Sequence, residues 1–161
     1  MKKIPKEKIK FMQAAFAEAK NNILSDDGGP FGAVVVYDGK IVSRSSNQVL
    51  KTNDPTAHAE IEAIRQASSK LQRFDLSDCE IYTTCEPCPM CLGAILWARI
   101  PQVYFASDRN DATKAGFDDS RFYRVINHQP VDHDLQTFRI CEKEGAELFD
   151  NWLKSSSKKI Y

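Results

Sequence analysis

Pro87-Cys88-Pro89-Met90-Cys91 sets two cysteines at Cys-x-x-Cys spacing, just after a run of strand formers and at the start of an apolar helical pattern. In the first turn of a helix, sulfurs at that spacing lie on one side, and the helix N-terminus favours their thiolate forms. Upstream, at another predicted helix start, stands His58-Ala59-Glu60. Two thiolates and a neutral imidazole cancel the charge of a zinc dication and leave its fourth position for water, the make-up of an open catalytic site. Zinc brings the pKa of such a water down to about 7. His58, Cys88 and Cys91 are therefore the candidate ligands of one Zn2+. Any fold of this chain has to bring two helix starts together across the strand between them.

Glu60 adds a second constraint. Residues two apart in a regular helix point away from each other. His58 and Glu60 can serve one metal only if it lies off the helix end, with the motif in the first turn. Asp54-Pro55-Thr56 supplies a start signal there, with Asp54 or Thr56 as the expected N-cap. Glu60 then stands beside the bound water as a general acid/base. A bare Cys-x-x-Cys more often marks structural zinc or packed thiols, so a zinc-stabilised binding module without catalysis is the non-enzymatic alternative. Cys85, on the strand side of the turn, reads as a packed thiol, and Cys79 and Cys141 have no cluster around them.

Composition narrows the partners. The 161 residues suit a single domain, with 22 Lys plus Arg against 22 Asp plus Glu. No global basic excess points to nucleic acid. Met1 to Lys8 is charged with no apolar run behind it, so no secretory signal is expected. No stretch approaches the ~20 apolar residues of a membrane span. Five cysteines, three of them within seven residues, favour metal over disulfides and a cytoplasmic setting.

In order along the chain, Ile9, Met12, Phe16, Ala19 and Ile23 form an amphipathic stripe for a helix from about Pro5 to Leu24. Phe31 to Tyr37 reads as a buried strand, Asp38-Gly39 as a hairpin turn and Lys40 to Val49 as the return strand. After the His58 helix come a strand at Glu80 to Thr84, a helix at Cys88 to Arg99 and a strand at Gln102 to Ala106. That alternation predicts parallel pairing with right-handed crossovers. A polar loop then leads to Asp118-Asp119-Ser120 and a short helix to about Asn127. Thr137 to Ile140 is read as a fifth strand, and Glu142 to about Lys154 as a last helix.

The paired motifs resemble the cytidine deaminase superfamily, an α/β class with a three-layer α-β-α fold and a mixed five-stranded sheet carrying helices on both faces. Asp54 to Glu60 is shared with the tRNA adenosine deaminases, which usually carry Leu-Glu-Pro-Cys where this chain has Cys85-Glu86-Pro87-Cys88. Fungal-type cytosine deaminases share the metal motifs. Over nearly the whole chain the pattern most resembles the bacterial guanine deaminases: Gly28 to Ala33, the Asn47 region, Trp97-Ala98-Arg99, Ala115 to Ser120 and the Lys-Lys-x-Tyr end.

That resemblance implies hydrolytic deamination of guanine to xanthine and ammonia, with guanosine, cytosine, ammeline or tRNA adenosine as alternative substrates. It implies Asn47 on the purine edge, Phe31 on its face and the Ala59 N–H near the base. It assigns Asp119 to the leaving amino group, and Tyr161 to closing the pocket from the partner in a swapped homodimer. The expected organisation is one domain over 1–161, with 155–161 as the tail that reaches the partner. Outside the resemblance, Asn47 could be a turn former, Phe31 core, Asp119 an N-cap and Tyr161 a frayed end. His128 and His133 read as surface residues.

Overall fold

The computed structural model describes residues 5–25, 27–129, 135–156 and 159. The β-branched run after Phe31 forms β1 (Gly32–Tyr37), and the chain turns back into β2 (Lys40–Ser46). The turn needs positive φ at both central positions, which Asp38 (48°) and Gly39 (68°) adopt. Helices α2 (Val49–Thr52) and α3 (Ala59–Leu71) follow, then β3 (Cys79–Cys85), α4 (Pro89–Trp97) and β4 (Gln102–Ser107). The chain continues through α5 (Arg109–Lys114), α6 (Ser120–Ile126) and α7 (Glu142–Lys154).

The sheet runs β2-β1-β3-β4. β1 is antiparallel to both β2 and β3, while β3 and β4 are parallel. The expected parallel pairing thus occurs at β3–β4. β2 and β3 point the same way, but β1 lies between them. One consequence positions the site. The start of β1 and the ends of β2, β3 and β4 all lie at one edge, as the partners Gly32↔Ser46 and Cys85↔Ser107 mark. Phe31, Asn47, the Cys85–Cys88 turn and Arg109 are delivered there together.

Helices cover both faces. Ala33, Val35 and Ile81 pack with α3 (Ala59, Ala63, Ala67) and α4 (Ile95). Val34, Val36 and Tyr82 pack with Phe11 and Ala15 of α1. This alternation along β1 is the period-2 signature of a strand buried on both sides.

Four expectations need correction. The sheet has four strands among the described residues, not five. Residues 135–141 take no regular structure, and Phe138 and Ile140 stay 79% and 78% exposed. Their alternation meets no strand edge, and a strand without a partner has no ladder. Second, the buried stripe of α1 is Phe11, Ala15, Ala19 and Asn22, whereas Ile9 and Ile23 are exposed. Gly32 lies so close to the α1 backbone that a Cβ there would overlap the Ala15 carbonyl and stand 2.7 Å from the Ala19 nitrogen. At Ala15 and Ala19 only small residues fit against Gly32, and the bulky Ile9, Phe16 and Ile23 lie on the exposed flanks.

Third, α3 begins at Ala59 with His58 as its N-cap. Asp54 Oδ1 instead accepts the Thr56 N–H at 2.8 Å and its hydroxyl at 2.7 Å, a self-contained turn ahead of the helix. Fourth, the loop after Ser107 contains α5, which is started by a capping box between Asp108 and Asp111. No helix among the described residues is long and apolar enough to cross a membrane.

The contact at Gly32 is backbone against backbone, so Gly32→Ala cannot be absorbed by a side-chain rotation. Urea denaturation is expected to show a loss of about 2 kcal/mol, in the range of overpacked cores.

Candidate metal centre

Two of the candidate ligands occupy helix N-cap positions. His58 (φ −71°, ψ 154°) precedes α3, and Cys88 (φ −64°, ψ 167°) precedes α4 with Pro89 next in the helix. Neither side chain makes a capping hydrogen bond, so both are available to a common point. Cys91 comes one turn later and is fully buried. His58 Nδ1 lies 3.6 Å from Cys88 Sγ and 3.5 Å from Cys91 Sγ. Zinc at its usual distances from nitrogen and sulfur in a tetrahedron separates them by ~3.6 Å. The donor set therefore fits zinc without rearrangement.

Charge points the same way. The Cys91 thiol hydrogen-bonds to Cys88 and holds its pKa down to about 4, while that same bond pushes Cys91 far up. His58 is raised, chiefly by its bond to Cys88. Two sulfurs this close share one proton, and a dication between them lets both ionise. Glu60, buried and second from His58, has its carboxyl pushed up by burial, with the negative charge of Cys88 adding to the effect.

A cavity of about 690 Å³ opens over this cluster, within the range of small-molecule sites. Phe31, Asn47, His58, Glu60, Cys88 and Asp119 all line it. Phe31 meets Phe117 edge-to-face at 4.9 Å. Asn47 is buried, with Oδ1 accepting the backbone N–H of Gly29 (3.3 Å) and of Val49 (3.1 Å). Asp119 sits at the N-cap of α6 but makes no side-chain cap bond. Burial and then the charge of Cys88 raise its pKa, against the pull of Arg109. Ala59 is fully buried as the first residue of α3, where helix geometry leaves an N–H without an intrahelical acceptor. Tyr161 and His133 lie outside the described residues, and His128 is exposed.

The sequence reading missed a clamp beside the metal turn. Arg109 forks onto Glu86, with Nη2 to Oε1 at 2.5 Å and Nε to Oε2 at 3.3 Å, and lies 4.3 Å over the Tyr123 ring. Tyr123 donates its hydroxyl to the Pro87 carbonyl at 3.5 Å, and Glu86 N–H bonds Ser107 at 2.8 Å. One guanidinium thus ties the turn before Cys88 to α5 and α6. The Asp108-x-x-Asp111 capping box was the available signal, since it places Arg109 on a helix start. Cys85 also lines the cavity, with its thiol 3.7 Å from the Asp108 carbonyl and its pKa pushed up to about 11 by burial.

A family model described as the cytidine and deoxycytidylate deaminase zinc-binding region matches residues 5–107, which include every ligand. The chain belongs to the cytidine and deoxycytidylate deaminase family. It is 44% identical to guanine deaminase of Bacillus subtilis over 94% of this chain and 97% of that one. The crystal structure of that enzyme superposes with a TM-score of 0.89 over the same shares. A guanine deaminase from Nitrosomonas europaea matches with a TM-score of 0.65 and 32% identity, over 76% of this chain and 66% of that one. The tRNA-specific adenosine deaminase of Agrobacterium fabrum is 36% identical over 92% of this chain and 95% of that one. This deaminase is a zinc-dependent hydrolase, and its His/Cys/Cys cluster fits a single Zn2+ per chain.

Thiol chemistry tests the ligand set of the deaminase. After chelation, iodoacetamide at neutral pH should alkylate Cys88 first, because pH 7 lies well above its pKa of about 4. Cys79 and Cys85, both pushed to about 11 and buried, should lag. Peptide mapping reads the order, and the zinc-loaded protein should resist at Cys88.

Proposed function

We propose that this deaminase converts guanine and water to xanthine and ammonia. The observation that carries the reading is one cavity in which Phe31, Asn47, Glu60 and Asp119 face the zinc ligands, in a chain 44% identical to a guanine deaminase over nearly its whole length. Zinc, when bound by His58, Cys88 and Cys91, supplies Lewis-acid activation of water at neutral pH. Glu60 takes the proton that the attacking water gives up and delivers it to the ring nitrogen beside C2. Its burial keeps the acid form accessible for that return step. As the C2–O bond forms, Asp119 holds the amino group and aids the proton transfer that lets ammonia leave. Phe31 packs on the base, Asn47 holds the purine edge, and the Ala59 N–H steadies the base near the metal.

The tRNA reading has less support here. Glu86, Asp118 and Asp119 line the cavity, and acidic groups there oppose an anticodon backbone. We also assign the reaction to the cytoplasm, a reducing compartment that suits thiolate ligands.

The same reading covers assembly. We treat residues 1–161 as one deaminase domain that forms a homodimer, with 155–161 as a tail crossing to the partner, where Tyr161 closes the pocket. Unburied apolar surface supports this. Helix α7 buries none of its residues, with Leu148 and Phe149 71% and 74% exposed, while Leu96 on α4 is 68% and Phe105 on β4 48% exposed.

A substrate panel of guanine, guanosine, cytosine, adenine, ammeline and tRNA should give ammonia from guanine, with xanthine formed in equal amount. Turnover of guanosine but not guanine, or inosine appearing in a tRNA anticodon, would replace the proposed substrate. Glu60→Ala should retain zinc and lose kcat by about 10³-fold. Zinc retention with no ammonia from the unmodified enzyme either would mark a binding module. Truncation after Lys154 should impair turnover with zinc content intact. Unchanged kinetics would remove Tyr161 from the site.

A further inference from the structure

Asn22, on the buried side of α1, is only 2% exposed and does not line the cavity. Its Nδ2 donates to the Gly29 carbonyl at 2.6 Å. Its Oδ1 is fully buried and has no hydrogen-bond partner among the described residues. A buried amide with one end unmatched is worse for stability than an apolar side chain of equal size. Packing α1 on the sheet therefore does not account for an asparagine at this position.

What the amide holds does account for it. Gly29 O also accepts the Phe31 N–H at 2.8 Å, and Gly29 N–H donates to Asn47 Oδ1 at 3.3 Å. Asn47 Oδ1 takes a second donor from Val49 N–H at 3.1 Å. With its oxygen engaged by two backbone donors, Asn47 is left to offer Nδ2, a donor, to a ligand. This shell has little slack. A Cβ on Gly28 would run into the Asn47 side chain and come within 2.9 Å of its carbonyl, and one on Gly29 would stand 2.8 Å from the Phe31 ring. A shift of the Gly28–Gly29 turn is therefore passed directly to Asn47 and Phe31.

We propose that Asn22 is a positioning residue for substrate selection: it anchors the Gly29 carbonyl, and through the Gly29 N–H it fixes the Asn47 amide so that the site requires a hydrogen-bond acceptor on the facing edge of the base. The proposal rests on the base-deaminase reading above. It assigns the selectivity of the cavity partly to a residue that never touches the ligand. The effect travels through one backbone residue, so it acts on binding and leaves the zinc cluster alone.

The test is a double-mutant cycle on zinc-loaded full-length protein, with wild type, Asn22→Leu, Asn47→Ala and the double variant assayed on guanine. Rates are expressed per bound zinc, so a variant that folds only in part is still read. Asn22→Ser, which leaves room for a water, replaces the leucine variant if the latter yields no folded protein. Asn22→Leu should raise KM about tenfold with kcat little changed, as displacement of a positioning group does. In the Asn47→Ala background the same substitution should change kcat/KM by less than about twofold, because the group it orients is gone. An equal loss in both backgrounds, or no rise in KM in the wild-type background, overturns the proposal and leaves Asn22 a structural residue. Wild-type protein silent on guanine overturns the substrate reading, and the role of Asn22 falls with it.

Discussion

Two sulfurs, each within 3.6 Å of one imidazole nitrogen, impose a charge balance that the rest of the molecule is built to meet. The N-termini of α3 and α4 converge on this point, and each contributes the positive end of a helix dipole. Positive helix ends disfavour a bare cation and favour anions. Two thiolates resolve the conflict, since they are the anions that the helix ends attract and also the ligands that a dication needs. Histidine completes the set without adding charge, so the metal retains the electrophilic character on which activation of water depends. A third carboxylate or thiolate ligand would weaken that character. Glu60 is accordingly close enough to exchange protons and is not one of the cluster.

Bringing the two helix starts together is the task of the sheet. Because β1 opposes its neighbours, one edge collects the entry to β1 and the exits of β2, β3 and β4. In mixed α/β architectures ligands gather where parallel strands end. Here that edge carries the metal turn after β3, Arg109 after β4 and Asn47 after β2. The Arg109–Glu86–Tyr123 clamp closes the group on one side, and the Gly28–Gly29 turn closes it on the other. Rigidity at both flanks matters because a general acid/base and a leaving-group partner act over tenths of an ångström.

The metal ligands were legible because their signal is local. Cys-x-x-Cys at a helix start and His-x-Glu at another need no knowledge of what packs against them. The bounds of α1 and α7 were legible to within a residue. What escaped was decided by contacts between distant segments. The inner face of α1 is set by the glycine of β1 that presses on it, which no periodicity within the helix reveals. Thr137 to Ile140 has strand composition, but pairing depends on an edge being within reach. Asp54 looked like a helix cap because an Asx turn and an N-cap use the same side-chain chemistry. The Arg109 clamp joins segments more than twenty residues apart and has no local signature beyond a capping box.

The C-terminal third follows a different logic from the core. Helix α7 carries Leu148, Phe149 and Trp152 and buries none of them, yet a helix of 13 residues is marginal without a surface to pack on. The apolar residues of α4 and β4 also lie exposed, so the described residues hold two unmatched surfaces. In the proposed dimer they are matched between copies, by symmetry twice over. The cavity, far larger than one base, is then closed by a residue from the second copy. In that proposed arrangement, substrate enclosure and assembly would form one equilibrium. The core and the His58, Cys88 and Cys91 cluster, by contrast, are assembled from residues of one chain, so the proposed dimer would add to the pocket and not to the metal site.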